Sequence, residues 1–458
     1  MPIRTVNPTT GEVLKTFAPL SADEVEGRLA RAAEAFAAHR RAGFAQRGEW
    51  LRAAAALLDA ERDDVARTMT LEMGKTLAAA RAEAAKCATG MRFYAEHAAA
   101  FLADEPLADP GAVGASRAFS RYQPLGAVLA VMPWNFPLWQ VVRFAAPALM
   151  AGDVGLLKHA SNVPQTALYL EDLFRRAGFP EGCFQTLLIG AGQVEAVLRD
   201  PRVTAATVTG SEAAGRAVAS VAGDEVKKTV LELGGSDPFV VMPSADVGRA
   251  AAVAVTARVQ NNGQSCIAAK RFIVHEAVYE EFAGAFVEGM RSLVVGDPLD
   301  AGTDVGPLAT EQGRVEVDEL VVDAVDRGAE VLCGGAPVPG PGWFYPPTVV
   351  AGVTPDMRLH AEEAFGPVAT LHRVPDIDAA VALANATPFG LGSNAWTEDP
   401  GEQERFVADL EAGAVFLNGM TTSYPELPFG GVKRSGFGRE LGAAGIRELC
   451  AVKTVWVA

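Results

Sequence analysis

Apolar residues recur at helical spacing through the first hundred positions of the chain and form short uninterrupted runs after Gly126. The first pattern, carried by residues such as Val25, Leu29 and Phe36, predicts amphipathic helices. The second pattern predicts strands over residues 127–132, 154–157, 184–189, 203–208 and 229–231. Because helix-length segments separate these runs, we expect βαβ units and a mostly parallel sheet with helices on both faces.

A second α/β region is predicted after Gly235, with helices over residues 246–259 and 278–293 and strands over residues 272–274, 368–372 and 414–417. Residues 104–116 and 334–342 are rich in Pro and Gly, which predicts a connector and a loop. Ligands of parallel sheets bind at the carboxyl ends of the strands. The polar residues that follow the predicted strands are therefore the candidate site.

The composition is that of a globular protein with two or three domains. The chain has 458 residues, of which 49% are hydrophobic and 21% charged. Its net charge of −16 disfavours a nucleic-acid partner, because nucleic-acid-binding proteins concentrate Lys and Arg. We expect no membrane association and no signal peptide, because the chain has neither a spanning apolar run nor a basic and then apolar start.

The five cysteines are scattered, odd in number and without a CxxC pair; they are Cys87, Cys183, Cys266, Cys333 and Cys450. This distribution predicts neither a disulfide framework nor a metal site. It is typical of a reducing compartment, so we expect a cytoplasmic protein.

Cys266 and Glu232 are the strongest chemical candidates. A cysteine is often a small buried hydrophobic residue, but the polar turn over residues 261–265 favours an exposed thiol at Cys266. If a helix follows Cys266, its dipole would favour the thiolate. A lone glutamate is commonly solvated or ion-paired. Glu232, however, ends a strand between two leucines, where apolar surroundings would raise its pKa and suit it to act as a general base.

Three further segments follow predicted strands. Asn135, in a turn with flanking prolines, is either part of a rigid turn or an amide donor to a developing oxyanion. Lys158 is either a surface residue or, with Ser161, a contact to a cofactor ribose or phosphate. Residues 209–215 open a helix whose first amides suit a phosphate, although the Gly-x-Gly-x-x-Gly fingerprint is absent.

With these residues assembled, the chain resembles the aldehyde dehydrogenase superfamily over essentially its whole length. Five blocks occur in the family's order and spacing: PWNFP (133–137), ELGG (232–235), GQSC (263–266), EAFGP (363–367) and PFGGVK (428–433). The resemblance implies an α/β, aldehyde dehydrogenase-like fold in three parts. These are a Rossmann-type dinucleotide-binding domain (1–110 and 128–234), an α/β catalytic domain (235–425) and a small β oligomerisation element (111–127 and 426–458).

The resemblance also implies a role for each candidate residue. Cys266 would be the nucleophile and Glu232 the general base, and Asn135 would form the oxyanion hole with the Cys266 amide. The cofactor-binding residues would be Trp134, Lys158, Ser161, Gly210, Ser211, Leu233, Glu363 and Phe365.

Residues 134–143 and 157–164 are most similar to the bacterial succinate-semialdehyde dehydrogenases that prefer NADP. Ser161 stands where NAD-preferring relatives often have a glutamate, which would repel a 2′-phosphate. We therefore expect NADP as the cofactor, with NAD used less well. Ala268 stands where some of these enzymes have a second cysteine, so we expect no local redox disulfide.

The same similarity implies that Arg143, on the helix after the oxyanion loop, binds the distal carboxylate of the aldehyde together with Ser423. The alternative for Arg143 is a salt bridge to a neighbouring helix. The substrate could instead be glutarate semialdehyde or an aliphatic aldehyde. A coenzyme-A-acylating enzyme is disfavoured by Glu232, and a non-catalytic protein is disfavoured by Cys266 and Glu232 together.

The family further implies a homodimer or homotetramer. Residues 116–123 and 451–457 alternate as pairing strands do, and they occupy positions where relatives cross between subunits.

Overall fold

The structure is a computed structural model that describes residues 3–458. The strands of this part of the chain are β1 (Ile3–Val6), β2 (Val13–Phe17), β3 (Glu105–Pro106), β4 (Arg117–Pro124), β5 (Ala127–Met132), β6 (Val154–His159), β7 (Phe184–Thr186), β8 (Val203–Thr209), β9 (Lys228–Glu232), β10 (Pro238–Val241), β11 (Arg271–His275), β12 (Glu330–Cys333), β13 (Thr348–Ala351), β14 (Val368–Val374), β15 (Gly392–Trp396), β16 (Ala414–Leu417), β17 (Gly436–Phe437) and β18 (Cys450–Val457). The helices are α1 (Ala22–His39), α2 (Phe44–Ala60), α3 (Arg62–Met73), α4 (Leu77–Phe101), α5 (Trp139–Ala151), α6 (Pro164–Arg176), α7 (Val194–Arg199), α8 (Glu212–Asp224), α9 (Val247–Val259), α10 (Tyr279–Arg291), α11 (Glu311–Asp326), α12 (Arg358–Ala361), α13 (Ile377–Asn385), α14 (Pro400–Asp409) and α15 (Gly442–Glu448).

Two large, mostly parallel sheets organise the molecule. The first has six strands in the order β17-β9-β8-β5-β6-β7, and all of its pairs are parallel except β17 with β9. The second has seven strands in the order β12-β13-β14-β11-β10-β15-β16, and all of its pairs are parallel except β12 with β13. The chain passes from the first sheet to the second between β9 and β10, where the sequence predicts the boundary between the two domains.

The predicted strands of the first sheet are confirmed, with small changes in length. β6 extends to His159 and β7 stops at Thr186, whereas β5 has the predicted bounds. The last residues of neighbouring strands are level, since Met132 pairs with His159 and Thr209 pairs with Glu232. The polar segments that follow these strands therefore share one edge of the sheet.

Helix α5 lies in the core and directly follows the loop that contains Asn135 (residues 133–138). All of its residues are buried, which fits a helix that is apolar on every face. The amides of Leu138 and Trp139, at its start, donate to the Glu83 carboxylate on α4 at 2.8 and 2.9 Å. Glu83 also forms a buried ion pair with Lys75. The start of α5 is thus held by a charged group that is itself neutralised.

A third, antiparallel sheet joins the two predicted pairing segments. β4 pairs with β18 along its whole length, from Arg117 opposite Val457 to Pro124 opposite Cys450. Segment 426–458 also contains β17, which pairs with the end of β9. This terminal segment therefore contributes to the edge of the first sheet as well as to the small sheet.

The helices in the described part of the chain include none that is both long enough and apolar enough to cross a bilayer.

Candidate active site

Cys266 lies in the segment that joins α9 to β11, after a turn with an unusual backbone. Asn261, Asn262 and Gly263 have φ angles of 55°, 58° and 74°, in the left-handed region. That conformation costs about 1–3 kcal/mol for a residue other than glycine, so the surrounding contacts must hold it. Cys266 itself is half-buried.

Side-chain hydrogen bonds to the main chain hold this turn. Asn262 donates to the carbonyl oxygens of Gly74 and Pro307 at 2.8 and 3.0 Å, and its own side-chain oxygen accepts from the Gly306 amide at 2.9 Å. These partners lie far away in the sequence. The turn before the nucleophile is therefore fixed by the tertiary fold.

Lys270 fixes the segment on the other side of Cys266. Its ammonium donates to the carbonyl oxygens of Ser265 and Cys266 at 2.8 and 2.7 Å, and it pairs with the Glu363 carboxylate at 3.0 Å. Lys270 is 2% exposed. An ammonium has three N–H donors, so these three acceptors satisfy it fully.

No helix follows Cys266, because residues 267–270 form a turn that leads into β11. No helix dipole therefore acts on the thiol. Burial raises the pKa of Cys266 to about 12, although the charges of Arg143 and Lys270 act to lower it. The thiol of this state is protonated near neutral pH and needs a base before it can attack a carbonyl.

Glu232 ends β9 and is 2% exposed, and neither of its carboxyl oxygens has a hydrogen-bond partner among the described residues. Burial raises its pKa well above the ordinary value, as the apolar neighbours predict, and the charge of Glu440 adds to the rise. A Cβ on Gly235 would lie 2.6 Å from the carbonyl oxygen of Cys266. Glycine at this position thus lets the end of β9 approach the nucleophile segment closely.

Asn135, in the loop after β5, contacts the same segment around Cys266. Its side-chain amide donates to the Gln264 carbonyl oxygen at 3.1 Å, two residues before Cys266. An amide nitrogen has two N–H groups, so one of them is free for a second acceptor. The Cys266 amide has no main-chain acceptor in the described part of the chain. The two donors predicted for an oxyanion hole are therefore available.

The structure favours the ion-pair alternative for Arg143. The guanidinium is 3% exposed, pairs with Glu440 and donates to the Thr209 hydroxyl at 3.3 Å. It also lies over the Phe429 ring, 4.9 Å from the centroid. Glu440 precedes α15 and is not on a neighbouring helix. These contacts use two of the five N–H donors of the guanidinium, and the predicted contact of Arg143 with a substrate stays a prediction.

Ser423 lies beside a cation that the sequence does not single out. Its hydroxyl oxygen accepts from the ammonium of Lys86, on α4, and from the indole N–H of Trp139, both at 2.9 Å. Ser423 is thus part of a cluster with Lys86, and the described hydrogen bonds do not join it to Arg143.

The predicted cofactor residues of β6 lie at the shared edge. Lys158 is the penultimate residue of the strand and has no ion-pair partner within residues 3–458, and burial lowers its pKa. The Ser161 carbonyl oxygen accepts from the Arg4 amide at 3.1 Å, which leaves the side chain uninvolved. An unpaired cation near a neutral hydroxyl suits a phosphate group.

Gly210 and Ser211, which follow β8, fit the predicted phosphate contact only in part. The Gly210 amide donates to the Glu232 carbonyl oxygen at 3.0 Å, so it is not available to a phosphate. A Cβ on Gly210 would meet nothing within 4 Å, so the space beside it is open. The Ser211 hydroxyl caps α8 by accepting from the Ala214 amide at 3.3 Å, which leaves its O–H free to donate.

The remaining predicted cofactor residues lie near β6, near the end of β9 or near the segment around Cys266 that joins α9 to β11. The Trp134 and Phe365 rings meet edge to face, with centroids 5.7 Å apart. Glu363 is held by Lys270, as described above, and a Cβ on Gly234 would lie 2.5 Å from its carboxyl oxygen. Leu233 is 6% exposed and packs against Gly215 of α8. Its side chain is a packing residue, so a polar cofactor contact would have to use its main chain.

Comparison with known proteins identifies the family of this chain. The aldehyde dehydrogenase family profile matches residues 1–455. The chain belongs to the aldehyde dehydrogenase family. The aldehyde dehydrogenase fold is also found in solved structures over the whole chain.

Among relatives of this aldehyde dehydrogenase, a succinate-semialdehyde dehydrogenase [NADP(+)] of Mycobacterium avium is 67% identical over 100% of this chain and 97% of the relative. One of Mycobacterium ulcerans is 66% identical over 100% of both chains. The crystal structure of the succinic semialdehyde dehydrogenase from Streptococcus pyogenes in complex with NADP+ is 36% identical, with a TM-score of 0.96 over 99% of each chain.

Proposed function

We propose that this aldehyde dehydrogenase oxidises succinate semialdehyde to succinate with NADP. One observation supports the proposal: the segment that contains Cys266 contacts Asn135 through Gln264 and approaches the end of β9 at Gly235, in a chain whose 66–67% identical relatives are named for this activity. The alternative of a non-catalytic protein is disfavoured, because the residues predicted as nucleophile, base and oxyanion donor are all present.

The charge and hydrogen-bonding groups near β6 and β8 fit a phosphorylated dinucleotide. Lys158 is an unpaired cation, and Ser161 brings no negative charge that would repel a 2′-phosphate. The Ser211 hydroxyl and the first amides of α8 suit the pyrophosphate, since a helix start attracts anions. Glu363 and Phe365 would hold the nicotinamide ribose and ring, Trp134 would lie near the pyrophosphate, and Leu233 would be a further cofactor contact.

The proposed reaction begins with removal of the Cys266 proton, for which the buried Glu232 carboxylate is the candidate acceptor because its pKa is raised. The thiolate sulfur then attacks the aldehyde carbon and forms a C–S bond. The oxygen becomes an oxyanion that accepts hydrogen bonds from Asn135 and the Cys266 amide. NADP, when bound, supplies the hydride acceptor that turns this thiohemiacetal into a thioester.

Hydrolysis of the thioester completes the cycle. Glu232 first releases the proton taken from Cys266 to solvent. It then accepts a proton from water, and the resulting hydroxide attacks the thioester carbon. The C–S bond breaks, the acid leaves and the Cys266 thiolate returns. Both proton transfers use the same carboxyl group, whose pKa burial raises above that of a solvated glutamate.

We also propose a homodimer or homotetramer in the cytoplasm. The proposal of an oligomer is supported by the exposed apolar side chains of β18, since Val452 and Trp456 are 63% and 52% exposed. The cytoplasmic location is supported by the cysteines, all five of which are free.

The test is a kinetic comparison of succinate semialdehyde, propanal and hexanal with NADP and NAD in turn. We expect the largest kcat/KM with succinate semialdehyde and NADP. A larger value with hexanal would assign an aliphatic aldehyde instead, and a larger value with NAD would overturn the cofactor assignment.

A further inference from the structure

Lys270 is a buried cation whose three contacts join two parts of the proposed active site. Its ammonium donates to the carbonyl oxygens of Ser265 and Cys266 and to the Glu363 carboxylate. The first two contacts hold the main chain of the nucleophile. The third holds the carboxylate that is proposed to bind the nicotinamide ribose. One ammonium therefore connects the nucleophile segment with a cofactor residue.

Glu363 also lies against the end of β9. A Cβ on Gly234 would be 2.5 Å from a carboxyl oxygen of Glu363, so the carboxylate rests directly on the main chain at a glycine. A Cβ on the next residue, Gly235, would be 2.6 Å from the Cys266 carbonyl oxygen. The Glu363 side chain is 17% exposed. The carboxylate is thus held from two sides and still open to a ligand.

The strength of Glu363 as an acceptor depends on Lys270. Burial raises the pKa of Glu363, whereas the charge and hydrogen bond of Lys270 act to lower it. Within residues 3–458, Lys270 is the one cation that forms an ion pair with Glu363. A carboxylate accepts a stronger hydrogen bond than a neutral carboxyl group does. Loss of Lys270 would therefore weaken the acceptor that a ribose hydroxyl would use.

A second buried cation holds the same segment without this link. Arg258 donates to the carbonyl oxygens of Gly263 and Ala269 at 2.6 and 2.9 Å. Its hydrogen bonds in the described part of the chain do not reach Glu363. Main-chain support of the nucleophile segment therefore does not require a contact with the cofactor residue, and that contact is particular to Lys270.

We propose that Lys270 is a positioning residue that holds the Glu363 carboxylate against the Cys266 main chain as the acceptor for the nicotinamide ribose. The inference rests on the proposed function, because it assumes that the cofactor binds at Glu363. The three donors of Lys270 are all used within the protein. Lys270 thus sets the affinity for the cofactor without touching it, and it ties the ribose to the nucleophile.

The test is a double-mutant cycle of Lys270→Met and Glu363→Gln, in which calorimetric titration measures the Kd for NADP without aldehyde. Lys270→Met alone should raise Kd by about 10- to 100-fold, the range for lost hydrogen bonds to a charged group. In the Glu363→Gln background the same substitution should change Kd by less than about twofold, because no carboxylate is left to hold. An equal rise in both backgrounds, or no rise in the wild-type background, would overturn the assignment.

Arg258→Lys is the matched control, since it loosens the main-chain contacts of the same segment and keeps a buried charge. Its effect on Kd should be the same in both backgrounds. A dependence on Glu363 as large as that of Lys270→Met would mean that the coupling belongs to the whole segment, and would refute the role of Lys270. If Lys270→Met does not fold, the double variant decides. An affinity equal to that of Glu363→Gln then supports the assignment, and a weaker affinity or a failure to fold refutes it.

Failure of the proposed function gives a different result. A wild type that binds NAD more tightly than NADP contradicts the proposed cofactor, and the same cycle is then measured with NAD, whose nicotinamide ribose is identical. A wild type that does not oxidise succinate semialdehyde contradicts the proposed substrate and leaves the cycle unchanged, because the titration contains no aldehyde.

Discussion

Replacement of Asn135 by alanine isolates the oxyanion contribution with little structural damage. The substitution removes one hydrogen bond, from the side-chain amide to the Gln264 carbonyl oxygen at 3.1 Å. That oxygen keeps a second donor, because Asn261 donates to it at the same distance. The Asn135 side-chain oxygen is buried without a partner, so its removal relieves a small penalty. We therefore expect a stability change of no more than about 1 kcal/mol.

Catalysis should respond far more strongly. Removal of one oxyanion donor costs about 3 kcal/mol, or 10²- to 10³-fold in kcat. Because the contact forms in the transition state, kcat and kcat/KM should fall together. The assay is reduction of NADP followed by absorbance, and thermal unfolding is measured on the same samples.

The comparison variant is Asn261→Ala. Asn261 donates both to Gln264 and to the Asn135 carbonyl oxygen, at 3.1 and 2.8 Å, so its loss should lower stability as well as rate. Wild-type turnover in Asn135→Ala would refute the oxyanion role. A large loss of stability in that variant would show that Asn135 acts mainly by holding the turn.

Two further predictions concern the thiol and the cofactor. Because burial raises the pKa of Cys266 to about 12, alkylation of the cofactor-free enzyme should accelerate about tenfold per pH unit from pH 7 to 9. The Cys266→Ala variant gives the background rate of alkylation. A plateau of the rate within this pH range would contradict the raised pKa. Ser161→Glu should lower kcat/KM with NADP relative to NAD by about 10- to 1000-fold, since like charges a few ångströms apart repel by about 1–4 kcal/mol. An unchanged ratio of the two kcat/KM values would mean that this residue does not face the 2′-phosphate.

The sequence predicts most of the first sheet because its strands are continuous apolar runs. Buried parallel strands have few polar residues, and β5 and β16 have the predicted bounds. The edge on which Asn135 and Glu232 meet follows from the same pattern, since parallel strands end on one side. These features depend on residues that are close in the sequence.

Long-range partners could not be predicted in this way. Lys86 meets Ser423 across 337 positions, and the Asn262 side chain meets Gly74 across 188 positions. The ion pair of Arg143 could not be predicted for the same reason, because its partner Glu440 follows β17 near the end of the chain. The sequence left open whether a helix follows Cys266, and the structure has a turn there instead, in which Lys270 donates to the Ser265 and Cys266 carbonyl oxygens.

The account depends most on a Cys266 thioester that Glu232 helps to hydrolyse. A rapid-mixing experiment on Glu232→Gln, which keeps the size of the side chain but cannot take a proton, tests this step. We expect one equivalent of reduced cofactor per active site to form before a much slower steady rate, and a covalent succinyl group on Cys266 in the mass spectrum. The first equivalent should form more slowly than in the wild type, because Glu232 also accepts the Cys266 proton. Steady turnover at the wild-type rate, with no burst and no adduct, would contradict the account.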